Sequence, residues 1–410
     1  MRVLMLPAYY RPEQAASSYL WENINEALIN NGLDLLVYTP TPCRGVDEAT
    51  RKEYCAKKKE MLKDGHWVVN RFAMYKEGKN PIMRTLRYML CGLKQYWYGV
   101  TVKDIDVLFI VSTPPIQGAI GALIKKWRKV RMVYNLQDIF PDSLVGTGLA
   151  KKGGMLWNIG RVIENFTYRN ADKIIVISED FKKNIMAKGV PEEKIEVVYN
   201  WVDEQAVVDV PRSENTLFGK YGLSRDKFYI TYSGNVGLTQ NMDMLLEVAK
   251  ELQVKKDIHF VIIGEGAYKK QVEEIIASDG IRNVTLLPFQ PYEDISKVFS
   301  LGNVGVVISK PGVGANSVPS KTWSILSSSR PVLASFDENE LKDIVRDNNC
   351  GIFIKAGDKE AFKKAILELY ADKELCADYG KNGRKFIMAN LTRAIGTQKY
   401  VDVIKAVVKK

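Results

Sequence analysis

Short apolar runs alternate with amphipathic stretches along almost the whole chain, in two series separated by one polar gap. Runs such as Val107–Val111, Ile258–Ile263 and Val304–Ile308 are apolar throughout, the pattern of strands buried on both faces of a parallel sheet. Parallel neighbours need a crossover, and the segments between the runs have helical spacing. After Pro81, for example, Met83, Leu86, Leu90, Leu93 and Trp97 recur at that period. The first series predicts strands at 3–6, 35–38, 67–72, 107–111, 133–136, 173–177 and 195–198, with helices at 19–30, 81–98, 116–126, 157–168 and 180–187. The second predicts strands at 228–232, 258–263, 284–287, 304–308, 331–335 and 352–354. Its helices are expected at 242–252, 268–278, 292–301, from Ser320, at 358–370, and briefly near 374–379. A long last helix should cover 392–409. This is an α/β pattern of two doubly wound Rossmann-like domains, whose strand carboxyl ends are expected to face a central cleft. The expected limits are 1–203 for the first domain, 204–226 for a polar connection containing Pro211, and 227–391 for the second. Residues 392–410 are expected to pack back on the first domain.

Length supports two cores, since 410 residues exceed one typical domain. No apolar run approaches a membrane span, and residues 3–6 are too short for a signal-peptide core. The five cysteines are scattered without metal-ligand spacing, which suits a reducing cytoplasm. Net charge is +11, and its location matters more than its size. From Arg51 to Arg131 there are eighteen Lys and Arg against six Asp and Glu, so this segment carries the whole excess. Aromatic residues are interleaved there, among them Tyr54, Trp67, Tyr96, Trp97 and Trp127. A solvated basic face is one reading; the other is an anionic membrane surface, at the inner face of the plasma membrane. No nucleic-acid-binding signature accompanies the charge, so no nucleic acid partner is expected.

The densest candidate site lies between Ser309 and Asp337. An apolar strand leads into a loop of small residues containing Gly312, Gly314 and Ser317, and Pro319-Ser320-Lys321 then opens a helix. Ser320 is placed to cap it. A cation in a first turn opposes the helix dipole, whereas glycine-rich backbone, free amides and Lys321 together make an anion site. These residues alone stay open to a plain strand-loop-helix with a solvated lysine. Two more small-residue loops end strands in the second series: Ser233-Gly234-Asn235-Val236-Gly237 and Gly264-Glu265-Gly266. Either suits a phosphate cradle, and neither completes a dinucleotide fingerprint. In the first series the strand-end loops carry Glu13 and Ser17, then Thr113, then Asp138 and Asp142. Asp138 is the carboxylate placed for chemistry or for capping its turn. Asp104-Ile-Asp106 precedes its strand and so lies at the wrong end to hold a metal in a cleft. No metal and no cofactor are expected. His66 and His259 read as structural.

With these residues assembled, the chain resembles a GT-B glycosyltransferase of family 4, nearly end to end. The likeness is carried by Asn200-Trp-Val-Asp203, Tyr232-Ser-Gly-Asn-Val-Gly237, Phe260-Val-Ile-Ile-Gly-Glu-Gly266, Pro331-Val-Leu-Ala334, Gly351 to Asp358 and Gly380-Lys-Asn-Gly-Arg384. Tyr9-Tyr-Arg-Pro-Glu13, Asn135 to Ser143 and Val318-Pro-Ser-Lys-Thr322 point to the WbuB-like subgroup of surface polysaccharide enzymes. The resemblance implies retaining transfer from a nucleotide-sugar donor, a UDP-sugar, to a lipid-linked sugar acceptor in capsule, O-antigen or exopolysaccharide assembly. Lys321 and Asp138 would then be catalytic. Donor binding would fall to Ser233, Gly234, Asn235, Gly237, Gly264, Glu265, Ser317, Pro319, Ser320, Ser324 and Glu340, and acceptor binding to Glu13, Ser17, Thr113 and Asp142. The chain departs from the family where a pair of glutamates is usual: those positions fall near Asn316 and at Ser324. Ser327-Ser328-Ser329 replaces A-x-G, Asn235 and Gln240 stand near a usual basic pair, and Gln137 stands near a usual histidine. Glu340 or the serines would take over the ribose. A catalytically silent sugar-nucleotide-binding subunit, or an epimerase of the same architecture, is the competing reading.

Overall fold

The computed structural model describes residues 1–13, 18–78, 80–146, 150–314 and 318–409. The chain forms two compact units, one of Met1–Tyr199 with Gly396–Lys410 and one of Asn200–Ile395. In the first, β1 (Arg2–Met5), β2 (Asp34–Pro40), β3 (Lys59–Leu62), β4 (Trp67–Phe72), β5 (Val107–Val111), β6 (Arg131–Leu136), β7 (Lys173–Val176) and β8 (Ile195–Val197) build one sheet. Its order is β3-β4-β2-β1-β5-β6-β7-β8. All neighbours are parallel except β3, which runs antiparallel to β4. In the second unit, β9 (Phe228–Ser233), β10 (Ile258–Ile263), β11 (Val284–Leu287), β12 (Val304–Ile308), β13 (Val332–Phe336) and β14 (Gly351–Lys355) form a wholly parallel sheet. Its order, β11-β10-β9-β12-β13-β14, reverses direction between β9 and β12. Such a reversal opens a crevice beyond the strand carboxyl ends, where doubly wound folds bind ligands.

The strands are buried as their composition demands: β10, β12 and β13 have no exposed position. Three expectations need correction. The basic stretch before Trp67, to which the sequence pattern assigns no element, holds the Glu48–Ala56 helix, capped by Asp47, and the edge strand β3. Residues 204–226 do not form a free connection but pack into the second unit. Val208 N and Val210 N donate to Ser296 Oγ and Ser300 Oγ (3.0 and 2.9 Å), and Leu217 and Phe218 are buried. The helix near 374–379 runs on through Lys373–Asn390. Gly380 does not end it; a Cβ there would stand 2.2 Å from Ser329 O, so glycine lets the helix press against that backbone.

The Pro81–Thr101 helix is where its spacing predicts, with its apolar stripe turned outward. Arg87, Cys91 and Gln95 point into the unit, and Met83, Leu86, Leu90, Leu93 and Trp97 are exposed.

Candidate functional site

In the second unit the strand-end loops are tied into one surface. Gly234 N donates to Ile263 O (2.9 Å), Gly264 N to Leu287 O (3.1 Å) and Val236 N to Glu265 O (2.8 Å). The approach needs glycine, because a Cβ on Gly264 would fall 1.9 Å from Gly234 O. Gly237 N donates to Gln240 Oε1 (3.1 Å), and Lys310 N to Thr239 O (2.8 Å), which joins this surface to the loop after β12. That loop is held in turn by Asp337, whose two carboxylate oxygens accept from Gly312 N and Gly314 N (3.0 and 2.8 Å).

Lys321 reaches into the middle of this arrangement. Its Nζ donates to Tyr232 Oη at 2.9 Å and lies 4.1 Å from the centroid of that ring. It also lies against Gly234, where a Cβ would come 2.9 Å from Nζ. Tyr232 Oη donates onward to Asn235 O (2.6 Å), so its lone pair is what the ammonium meets. Loss of water pushes the Lys321 pKa down to about 8, and among the described residues no carboxylate opposes that push. A partly desolvated cation beside glycine backbone at a sheet reversal is a receptor for an anion such as a diphosphate.

Ser233, Gly234, Asn235, Gly237, Gly264 and Lys321 are thus brought together. Pro319 stands just before the Lys321–Ser327 helix, and its carbonyl accepts from Thr322 N (2.9 Å). Ser320 makes no capping bond, against expectation: its backbone is already helical and its side chain is exposed. Trp323 N is likewise taken, by Ser320 O (3.1 Å), so Lys321 itself is the feature of this helix start. Glu265 is exposed and paired with Lys269 (2.6 Å). Ser324 follows Lys321 by three residues on the same helix and is half-buried. Glu340 is buried at the start of the Glu340–Asp347 helix. Two serines named as replacements for the family's glutamate are spent elsewhere: Ser327 Oγ donates to Val207 O (2.6 Å) and Ser328 Oγ to Ile325 O (2.8 Å). Ser17 and Ser317 lie outside the described residues. His259, on β10, is held by Thr285 Oγ1 (2.8 Å), and burial pushes its pKa down to about 4.

The first unit has a cavity of about 340 Å³ at the carboxyl ends of β1, β5 and β6, lined among others by Tyr9, Arg11, Glu13, Trp21, Thr113 and Gln137. Glu13 also organises the wall: its carboxylate accepts from Tyr10 N, Cys43 N and Arg44 N (2.9, 2.8 and 2.9 Å). Arg44, a further lining residue, lies over the Tyr9 ring (4.0 Å) and pairs with Glu77 (2.7 Å). Asp138 is beside this cavity in sequence but does not line it; Gln137 does. The Asp138 carboxylate accepts from Ser143 Oγ (3.0 Å). Asp142 lies deeper, where partial burial pushes its pKa up and the Lys188 ammonium (2.7 Å) more than reverses that, leaving it lowered. It is part of an ion-pair cluster with Lys188 and Glu164. Asp106 accepts from Arg2 N (2.7 Å), at the amino ends of β1 and β5. Among the described residues no group of three or more His, Cys, Asp or Glu could hold a metal ion.

Sequence reasoning misses Tyr232, because a tyrosine inside an apolar run reads as core. It gives no role to Tyr9 and Arg11, quoted there only as part of the Tyr9–Glu13 likeness, and misses Trp21 and Arg44, which complete the aromatic and cationic wall.

Comparison with known proteins agrees with this geometry. Residues 19–206 match the family described as Glycosyltransferase Family 4, and residues 213–386 that described as Glycosyl transferases group 1. Over 208 residues the chain is 29% identical to an Escherichia coli (strain K12) protein named as a colanic acid biosynthesis glycosyl transferase, WcaI. That stretch is 50% of this chain and 51% of the relative, so the chain spans about half of that relative's length. It is 24% identical over 299 residues to the glycosyltransferase WbjE of Pseudomonas aeruginosa, covering 73% of this chain and 72% of that one. Among solved structures, Anabaena HepE in complex with UDP aligns with a TM-score of 0.74 at 16% identity, over 99% of this chain and 100% of that one. This last likeness is one of fold.

Proposed function

The chain belongs to family 4 of the GT-B glycosyltransferases, and we propose that it moves a sugar from a UDP-sugar to a polyprenyl-diphosphate-linked sugar in surface polysaccharide assembly. The observation that carries this reading is Lys321, a cation held at the β9/β12 reversal by a phenol and glycine backbone. There it would bind the donor's diphosphate, and HepE, of the same fold, was solved with UDP. Transfer breaks the bond between the anomeric carbon and the diphosphate oxygen and forms one to the acceptor hydroxyl on the same face of the sugar. Negative charge grows on the departing diphosphate, and a donor placed there beforehand is worth ~3 kcal/mol of barrier. Lys321 is that donor in this scheme. The acceptor sugar would occupy the cavity of the first unit, with Glu13 shaping its wall and Thr113 lining it. Asp138 does not line that cavity but follows the lining Gln137 in sequence, and from there it would take the hydroxyl proton. The lipid carrier places the protein at an anionic membrane surface, met by the basic segment from Arg51 to Arg131.

A second reading has one observation in its favour. The family's ribose-binding glutamate is Ser324 here, and the Ser327 and Ser328 hydroxyls are already bonded. A sugar-nucleotide-binding subunit without turnover fits those facts. Titration with UDP, followed by product analysis with UDP-sugars and a polyprenyl-diphosphate sugar, separates the cases. Transfer with the anomeric configuration kept supports the enzyme. UDP binding without either transfer or donor hydrolysis identifies the silent subunit. Absence of UDP binding removes the UDP-sugar donor from both.

A further inference from the structure

The Pro81–Thr101 helix is inside out. Surface helices normally turn their apolar stripe to the core, yet the deeply buried side chains here include Arg87 and Gln95. Arg87 Nε donates to Tyr75 O (3.3 Å), and Gln95 Nε2 to Pro7 O (2.9 Å), so polar bonds hold the inner face. The outer face presents Ile82, Leu86, Met89, Leu93 and Trp97, an uninterrupted helical stripe, with Ile82 77% and Trp97 60% exposed.

Two neighbouring helices extend this face. Ile116–Arg128 packs on the first helix through Gly92 and Gly99, where a Cβ would come 2.3 Å from Ile120 and 2.5 Å from Ile124. It leaves Leu123 and Trp127 outside, the latter 72% exposed. On its other side lies Met155–Asn170, whose Met155, Ile159 and Val162 are also exposed. Each helix therefore carries apolar side chains at helical spacing that the core does not use. Three helices packed side by side, each exposing apolar side chains, mark an interaction face.

Its charge selects the occupant. The first two helices contain no Asp or Glu, and the single carboxylate on the third, Glu164, is buried against Arg161 and Lys188. Exposed Arg84, Lys94, Lys126 and Lys129 lie on or beside these helices, and Lys151 and Lys152 precede the third. A second copy would bring like charges together, which disfavours self-association. An anionic bilayer satisfies both the apolar side chains and the cations. Among the described residues no helix is long and apolar enough to cross a membrane, so the face would lie in the interface.

We propose that these three helices insert their outer side chains about 5–10 Å into an anionic lipid leaflet, with Trp97 and Trp127 at the headgroup boundary. This deepens the membrane-held acceptor of the function proposed above and specifies apolar insertion, beyond attraction by charge. The test is co-sedimentation of the full chain with phosphatidylglycerol/phosphatidylcholine vesicles and with phosphatidylcholine alone, at low salt and at about 1 M salt, where the Debye length is about 3 Å. Wild type should favour the anionic vesicles and keep a substantial bound fraction at high salt. Leu93→Glu with Trp97→Glu should lower the partition coefficient by at least about tenfold. Both positions are exposed, and UDP binding in solution should be unchanged. Release of all wild-type protein by salt, or binding by the double variant equal to wild type, would overturn the proposal. So would a dimer, seen without lipid, that the same substitutions dissolve. Absence of UDP binding in wild type would sink the UDP-sugar reading while leaving the vesicle result to stand or fall by itself.

Discussion

Lys321 Nζ lies 2.9 Å from the Tyr232 hydroxyl and 4.1 Å from the centroid of the same ring, so its charge is held by a neutral residue. Desolvated charges are ordinarily paired, because water is lost and must be replaced. A phenol and the face of a ring replace it in part and leave the charge uncancelled. That is the arrangement expected of a cation kept for a ligand.

Replacing Lys321 by Met retains the stem and removes the charge. Transfer is expected to fall about 10²–10³-fold at saturating donor. Thermal stability should hold or rise, since the substitution takes a desolvated cation out of the fold. Turnover and melting temperature are measured on the same preparation; near wild-type turnover would refute the role.

The Lys321 pKa, pushed down to about 8 from 10.5, sets a pH dependence. Diphosphate binding needs the protonated amine, so UDP affinity should be flat below about 8 and fall about tenfold per pH unit above it. Stability runs oppositely. Between about 8 and 10.5 the unfolded chain binds the proton and the folded one does not, so this residue's contribution to stability rises with pH through that window. Calorimetric titration with UDP from pH 6.5 to 9.5 checks the first effect, and Lys321→Met should abolish the step.

Gly264→Ala probes the contact between the two loops. The added Cβ would sit 1.9 Å from Gly234 O, and φ at Gly264 is +153°, so neither backbone can yield cheaply. A stability loss of about 1–3 kcal/mol is expected, together with weakened UDP binding. Denaturant unfolding and UDP titration measure the two, and a silent substitution would show that the loops are not held as described.

Activity is expected to survive exhaustive chelation. Asp106 is committed to Arg2 N at the amino ends of its strands (2.7 Å), away from the strand ends that carry the candidate sites. Loss of transfer restored specifically by magnesium or manganese would contradict this.

Most of both sheets can be read from hydropathy, because a parallel strand buried on both faces leaves an uninterrupted apolar run, as in β10 and β12. The edge strand β3 cannot. Lys59-Glu60-Met61-Leu62 has no buried position and is fixed by antiparallel pairing with β4. Spacing reveals that residues 81–98 form a helix with an apolar stripe, but period alone does not say which way the stripe turns. The orientation is set by what Arg87 and Gln95 bond to. At the site, Lys321 stands out in sequence as a cation at a helix start. Tyr232 is silent there, since its role comes from a side chain meeting it from 89 residues away.

Asp138 offers the sharpest test of the first unit. It follows Leu136 at the end of β6 and the cavity-lining Gln137, and its carboxylate accepts from Ser143 Oγ (3.0 Å). Crowding pushes its pKa up, while Ser143 and the Ile139 amide pull the other way. Asn at this position keeps an oxygen for Ser143 and loses only the charge and basicity. A purely architectural Asp138 would therefore tolerate the change, because Asn serves such turns almost as well. A residue that removes the acceptor's proton would not, and neutralising a general base costs about 10²–10⁴-fold. The expected outcome for Asp138→Asn is a loss of transfer in that range, with UDP affinity and melting temperature unchanged. Transfer and UDP affinity both equal to wild type would reduce Asp138 to the anchor of Ser143, and the proton would then have to leave by way of the departing diphosphate.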